Sequence, residues 1–251
     1  MISSRMGTLL IRTFAVMLAA GAAASAALAQ EAAPTPPPKK NERPAALVQK
    51  AEPFEGASVE KMAAQCVRLE TEVGPIELEM LPEAAPESVR NFLNLTALGV
   101  FDTTTFSRVV KDFVIQGGNV STRSAPPAPE LTLRAARKIP DEPSYVKHVR
   151  GIVSMARPDE PNSASSHFFI IVSETAQHLD GKFAAFARVT RGMEVADEIN
   201  RAQTEGDKPA KPVRITRATV FACQKAAAPE NAPEAKPSTN PAHNPTGKVS
   251  P

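Results

Sequence analysis

The sequence predicts a mainly β domain, a closed antiparallel barrel capped at its ends by two α-helices. Three observations lead there. Short apolar runs of strand length recur between about 62 and 224, punctuated by Gly or Pro. Only two stretches carry apolar residues at helical spacing. Many short strands with so few helices are the pattern of a sheet that closes on itself.

Val67 and Leu69 alternate with polar residues, Gly74-Pro75 reads as a turn, and Ile76, Leu78 and Met80 alternate with glutamates. That is a β-hairpin. Pro86 suits the first turn of a helix bearing Val89, Phe92, Leu93 and Thr96 at spacings of three and four, with Gly99 as its stop. Further apolar runs at 105–110, 113–116, 152–156, 168–172, 183–189 and 213–222 are strand candidates. Between the last two, Met193, Val195, Ala196 and Ile199 share a face, which predicts the second helix over about 193–202. A segment of this size buries roughly two thirds of its unfolded surface, enough for one hydrophobic core.

The ends differ from this middle. Arg5 and Arg12 precede an uncharged run from Thr13 that closes with Ala27-Leu28-Ala29, the layout of a secretory signal peptide over 1–29, cleaved after Ala29. The run is too rich in alanine and too short for a spanning helix of roughly 20 residues, so no stable membrane span is expected after processing. The separated arginines point to ordinary export, and the expected location is the periplasm. Residues 30–61 are a Pro/Ala-rich linker containing Pro34 and Pro36 to Pro38. Residues 225–251 repeat the style as a solvated tail, leaving 62–224 as the domain.

Charge excludes some functions. The 29 basic residues are interspersed with 27 acidic ones for a formal net charge of +2, so no basic stripe tracks phosphates. With one Tyr and no Trp the chain lacks platforms for stacking bases, and nucleic acid is not an expected partner. The four histidines have no ligand spacing and neither Cys has a His or carboxylate cluster beside it, so no metal site is expected. Cys66 and Cys223 bracket the domain. In an oxidising compartment they can form a bridge worth about 4 kcal/mol, or remain two buried thiols.

Four stretches stand in one order: Phe106-Ser107-Arg108-Val109-Val110 running to Phe113-Val114-Ile115-Gln116-Gly117-Gly118-Asn119, Gly151 to Ala156, Ser166-His167-Phe168-Phe169-Ile170, and Leu179-Asp180-Gly181-Lys182-Phe183. Over about 66–222 the chain resembles the cyclophilin-type peptidyl-prolyl cis-trans isomerases, with F-x-R-V-V-x-x-F-x-x-Q-G-G the most specific element. The resemblance implies an eight-stranded barrel and an enzyme that accelerates rotation about X–Pro bonds. Arg108, Phe113 and Gln116 are then catalytic: Arg108 donates toward the prolyl nitrogen, and Gln116 orients the substrate and supports the arginine. Met155, Phe169, Leu179 and Phe183 join Phe113 around the proline. Ala156 leaves room for the preceding segment, the Arg157 backbone bonds the peptide, and His167 and His178 border the groove.

The same residues make chemical sense alone. An X–Pro bond turns slowly because the amide's partial double bond must be lost, a barrier of about 18–20 kcal/mol for ordinary peptides. Accelerating that rotation needs no nucleophile, metal or cofactor. It needs a dry hollow for the ring and a fixed donor that binds the twisted form better than either planar one. Taken singly the residues have blander readings: the phenylalanines as core, Arg108 as half of a salt bridge, Gln116 as a strand end.

The chain departs from the family at Ser107, where many members carry histidine, so support of Arg108 is expected to be weaker. It departs also at His167, where glutamine is usual, and at Ala164-Ser165 in place of Asn-Gly. His178 stands where strongly cyclosporin-sensitive members carry tryptophan, which implies weak inhibition. The expected partners are proline-containing segments of unfolded or flexible exported proteins, bound by a monomer. Two other functions use the same features: a proline-binding chaperone with little turnover, and an interaction protein positioned by its Pro-rich arms.

Overall fold

The computed structural model describes residues 51–223. The expected signal peptide, the linker up to residue 50 and the tail 225–251 lie outside the described residues. The elements are α1 Val59–Ala63, β1 Gln65–Thr71, β2 Gly74–Met80, α2 Pro86–Ala97, β3 Arg108–Val110, β4 Val114–Gly117, α3 Pro129–Ala135, β5 Ile152–Met155, β6 Phe168–Ile171, β7 Ala185–Arg191, α4 Met193–Asn200, β8 Thr204–Glu205, β9 Lys208–Pro209 and β10 Ile215–Ala222.

One eight-stranded sheet runs in the order β10-β1-β2-β7-β5-β6-β4-β3, with every neighbour antiparallel. Register shifts at Glu70/Thr71, Glu77/Leu78 and Val153/Ser154 bend the strands. The sheet curls into a half-barrel with β10 and β3 at the two ends of its strand order. Its ends approach where Thr105 bridges Arg214, Phe106 N donates to Val213 O at 2.9 Å, and Ile215 at the start of β10 accepts from Thr103 N and donates to Thr104 O, both at 2.8 Å. β3 is three residues long, and its Val109 N–H goes to Asp207 O at 2.8 Å, in the β8–β9 hairpin, so that hairpin takes the edge that β10 would need.

Both expected helices form, and each has a reason at its start. Pro86 opens α2, whose N-cap Ala85 offers no side chain. Glu142 substitutes, accepting from the Glu87 and Ser88 N–H groups at 2.8 and 2.7 Å. Gly192 precedes α4 at φ +87, and a Cβ there would stand 2.2 Å from Pro75 O, so only glycine fits. α1 and α3 were not expected. The hairpin turn falls at Glu72-Val73, while Gly74 and Pro75 pair with Thr71 and Glu70. The Thr71 hydroxyl closes that loop by donating to Gly74 O and accepting from Val73 N.

The folded body begins ahead of 62, correcting the expected linker boundary. Phe54 is buried and donates its N–H to Asn94 Oδ1 at 2.8 Å. A proline-rich composition concealed one core phenylalanine. At the other end Cys66 is joined to Cys223 as a disulfide with Cα atoms 5.0 Å apart, tying β1 to the chain leaving β10.

The concave face of the sheet holds the main core. Phe92 of α2 sits with its ring 4.9, 5.3 and 4.8 Å from those of Phe101, Phe168 and Phe186. Strand alternation sends Val153, Met155, Phe168 and Ile170 to this core, and Ile152, Phe169, Ile171 and Val114 to a second apolar cluster on the other face.

Candidate active site

The second face carries the chemistry. Pairing sets Arg108 opposite Gln116, Gln116 opposite Phe169 and Phe169 opposite Ser154, one row across β3, β4, β6 and β5. Strand register therefore brings a cation, an amide and an aromatic ring together. The turn between β3 and β4 is fastened by Asn200 at the end of α4. Its Oδ1 accepts from Asp112 N at 2.8 Å and its Nδ2 donates to Val110 O at 2.9 Å, which holds Asp112 at φ +54 and fixes the adjacent Phe113.

Gly118 lets the next segment come close: it has φ +86, and a Cβ would lie 2.1 Å from Ser166 O. The approach brings His167 to the mouth of a cleft of about 410 Å³ lined by Arg108, Gln116, Ala156, Arg157, Pro158, Ser163, Ser165 and His167. Ala156 N donates to His167 O at 2.9 Å, closing the floor. Ala156 also belongs to the apolar cluster with Phe113, Phe169, Leu179 and Phe183, so the polar cleft and the apolar wall are continuous. The Phe169 and Phe183 rings pack edge to face at 5.7 Å, and the Arg157 guanidinium lies 5.6 Å from the Phe183 centroid while pairing with Asp141 at 3.1 Å. His178 is exposed, its ring 5.3 Å from Phe113. Burial pushes the His167 imidazole below its ordinary range, so it lines the cleft uncharged at neutral pH.

Two expectations change. Met155 is 2% exposed and packs in the main core, paired with Phe168, because its place in β5 points inward; Ala156 is the residue that reaches the groove. Gln116 makes no side-chain hydrogen bond to Arg108 among the described residues. The guanidinium is held by Asp207, with Nε donating to Oδ2 at 3.0 Å and Nη2 2.7 Å from the same oxygen.

Sequence reading also missed a buried chain behind the wall. Asp180 Oδ1 accepts from His148 N at 2.8 Å and lies 3.0 Å from His148 Nδ1, and His148 Nε2 lies 3.0 Å from Ser154 Oγ. An ionised carboxylate only accepts, so Nδ1 carries the proton and Nε2 accepts from the hydroxyl. The order Ser, His, Asp is that of acyl-transfer enzymes. Here Ser154 is 0% and His148 1% exposed, so no substrate carbonyl reaches the hydroxyl. The chain instead ties the turn carrying His178 and Leu179 to the strand beneath Phe169. Val114, Asn200 and Asp207 were missed too. Only Val114 left a signal, as the neighbour of Phe113 in an apolar run.

A half-exposed guanidinium at the edge of an apolar wall suits binding and charge stabilisation of a peptide. A family profile described as cyclophilin type peptidyl-prolyl cis-trans isomerase/CLD matches residues 66–220. The peptidyl-prolyl cis-trans isomerase cypE of Dictyostelium discoideum is 40% identical over 159 residues, 63% of this chain and 99% of the relative. Peptidyl-prolyl cis-trans isomerase A of Dickeya dadantii is 36% identical over 164 residues, 62% of this chain and 84% of its own length. Among solved structures, a cyclophilin type isomerase of Cryptosporidium parvum, crystallised in the presence of the dipeptide Ala-Pro, matches with TM-score 0.54 and 28% identity over 63% of this chain and 99% of its own. The chain belongs to the cyclophilin-type peptidyl-prolyl cis-trans isomerase family and is an enzyme of the isomerase class.

Proposed function

We propose that this isomerase turns X–Pro bonds in exported proteins and so assists their folding in the periplasm. Arg108 donates to the twisted imide, Gln116 orients the peptide, and Phe113, Phe169, Leu179 and Phe183 take the proline ring. Ala156 admits the preceding residue, while His167 and the Arg157 backbone line its path and His178 borders the ring site. The observation that carries the reading is the row of Arg108, Gln116 and Phe169 on neighbouring strands, which sets the cation at the seam between polar cleft and apolar wall. A neutral, planar X–Pro amide gains little from such a seam. The twisted form, with its localised nitrogen lone pair, gains a hydrogen bond there, which is the differential binding that catalysis requires. The Ala-Pro dipeptide used with the Cryptosporidium parvum relative supports a proline-containing substrate. Export is supported by the basic, apolar and small-residue order of 1–29 and by the Cys66–Cys223 bridge, which suits an oxidising compartment.

The test is prolyl cis/trans exchange on a short X–Pro peptide with wild-type protein and Arg108→Ala. The variant is expected to lose at least about a hundredfold in kcat/KM, near 2.7 kcal/mol, with its fold unchanged. Undiminished exchange would remove Arg108 from the chemistry; peptide affinity with negligible exchange in the wild type would favour a proline-binding module. Cell fractionation with N-terminal sequencing tests export, with a periplasmic chain beginning at Gln30 expected.

A further inference from the structure

We infer that Asp207 is a positioning residue for the isomerase reaction, holding the Arg108 guanidinium in the orientation the twisted imide needs; the inference rests on the role proposed for Arg108. Asp207 is 99 positions away in sequence and lies in a hairpin outside the motifs that mark the site. Three features fix it there. The hairpin is a two-residue loop in which Thr204 pairs with Pro209 and Glu205 with Lys208, and Gly206 takes the positive φ of +60 that a glycine-first turn requires. Pro209 is buried, and Ala210 N donates to Gln203 O at 2.8 Å across the hairpin base. The Asp207 carbonyl accepts from Val109 N, the residue after Arg108, so the carboxylate is delivered in register with the strand that carries the arginine.

The pair itself adds little to stability, since the two side chains are 44% and 52% exposed. Its effect is on orientation. A free arginine samples many rotamers, and freezing it only in the transition state would raise the barrier. Asp207 binds the Nε and Nη2 edge and leaves the Nη1 end of the fork unengaged by it. The cleft is lined by Arg108 and Gln116 and not by Asp207, so the carboxylate supports the arginine from the side without occupying the peptide's path. It supplies the support that Ser107, in place of histidine, does not.

The experiment measures kcat and KM on an uncharged X–Pro peptide for wild type, Asp207→Ala, Asp207→Asn, Arg108→Ala and the Arg108→Ala/Asp207→Ala double variant, at low and at molar salt. Asp207→Ala is expected to lose about fivefold in kcat/KM, mostly in kcat, and Asp207→Asn, whose amide oxygen still accepts, about half of that effect on a logarithmic scale. High salt should weaken the wild type and leave Asp207→Ala unchanged. In the Arg108→Ala background the Asp207 substitution should have no further effect, whereas a merely structural role would carry over. If Arg108→Ala collapses activity while Asp207→Ala matches or exceeds the wild type, the inference is overturned and the role of Arg108 stands. If Arg108→Ala itself is fully active, both fall. An Asp207 loss that persists undiminished in the double variant also overturns it.

Discussion

Phe168 and Phe169 are neighbours in one strand and lead separate lives. Phe168 is 0% exposed, with Phe92, Phe101 and Phe106 around its ring. Phe169 is 6% exposed, yet it packs on the other face with Phe183 and stands opposite Gln116 in the row that begins at Arg108. Burial alone does not separate them. What separates them is the face of the sheet: the concave one encloses a closed aromatic core, and the convex one borders a cleft with a guanidinium at its rim. A curled sheet thus lets one strand serve stability and chemistry with alternate side chains.

The largest expected effect sharpens this contrast directly. Phe168→Ala should cost about 3–5 kcal/mol of unfolding free energy, because its cavity lies inside a packed core. Activity per folded molecule should stay near wild type. Phe169→Ala, whose vacated space opens toward the groove, should cost less stability, about 2 kcal/mol, and lower kcat/KM about thirtyfold. Chemical denaturation and prolyl exchange on both variants check this. Equal losses of activity from the two would mean that the faces are not functionally distinct.

Met155 gives the next largest effect and a sharper test. The family motif puts it among the groove residues, and its position in β5 puts it in the core. Met155→Ala should therefore destabilise by about 3 kcal/mol and change kcat/KM of the folded protein less than about twofold. A variant with wild-type stability and Phe169-like kinetics would return Met155 to the groove.

That error shows where sequence reading ends. All four residues of β5 are buried, so no polar alternation reveals which of them face the core and which the groove. α2 was legible because Pro86, the spacing of Val89, Phe92 and Leu93, and Gly99 are local signals. Arg108, Phe113, Gln116 and Phe169 were legible through the motif and their order. Asp207, Asn200 and the Asp180–His148–Ser154 chain were not, because each acts by a contact between segments far apart in sequence, and nothing local marks a Gly-Asp turn as the partner of a strand arginine. How the two ends of the sheet meet was illegible for a related reason: the short β3 and the hairpin on its edge are tertiary facts. The early start of the domain at Phe54 was masked by its proline-rich surroundings.

The smallest expected effect concerns acid. Burial is the main cause that pushes His148 below its ordinary value of 6.5, opposed by its hydrogen bond and charge attraction to Asp180 and reinforced by His178. The native state therefore binds the proton less readily than the unfolded chain. Above the ordinary value both states are neutral and nothing is lost; as pH falls below it the unfolded chain gains a proton first, and stability declines toward the folded pKa. One such group gives a slope of at most about 1.4 kcal/mol per pH unit in that window. Asp180, lowered from 3.8 chiefly by the His148 N–H, adds its own loss only at still lower pH. Denaturation from pH 8 downward should show the first decline near 6.5, and His148→Gln should flatten it while the His167 contribution remains. Since Asp180 anchors the turn bearing Leu179 on the groove side, kcat/KM of the folded wild type should hold through this window and fall only once the pH passes the lower value of native His148. An unchanged slope in His148→Gln would place acid sensitivity elsewhere and detach this buried chain from the wall it underlies.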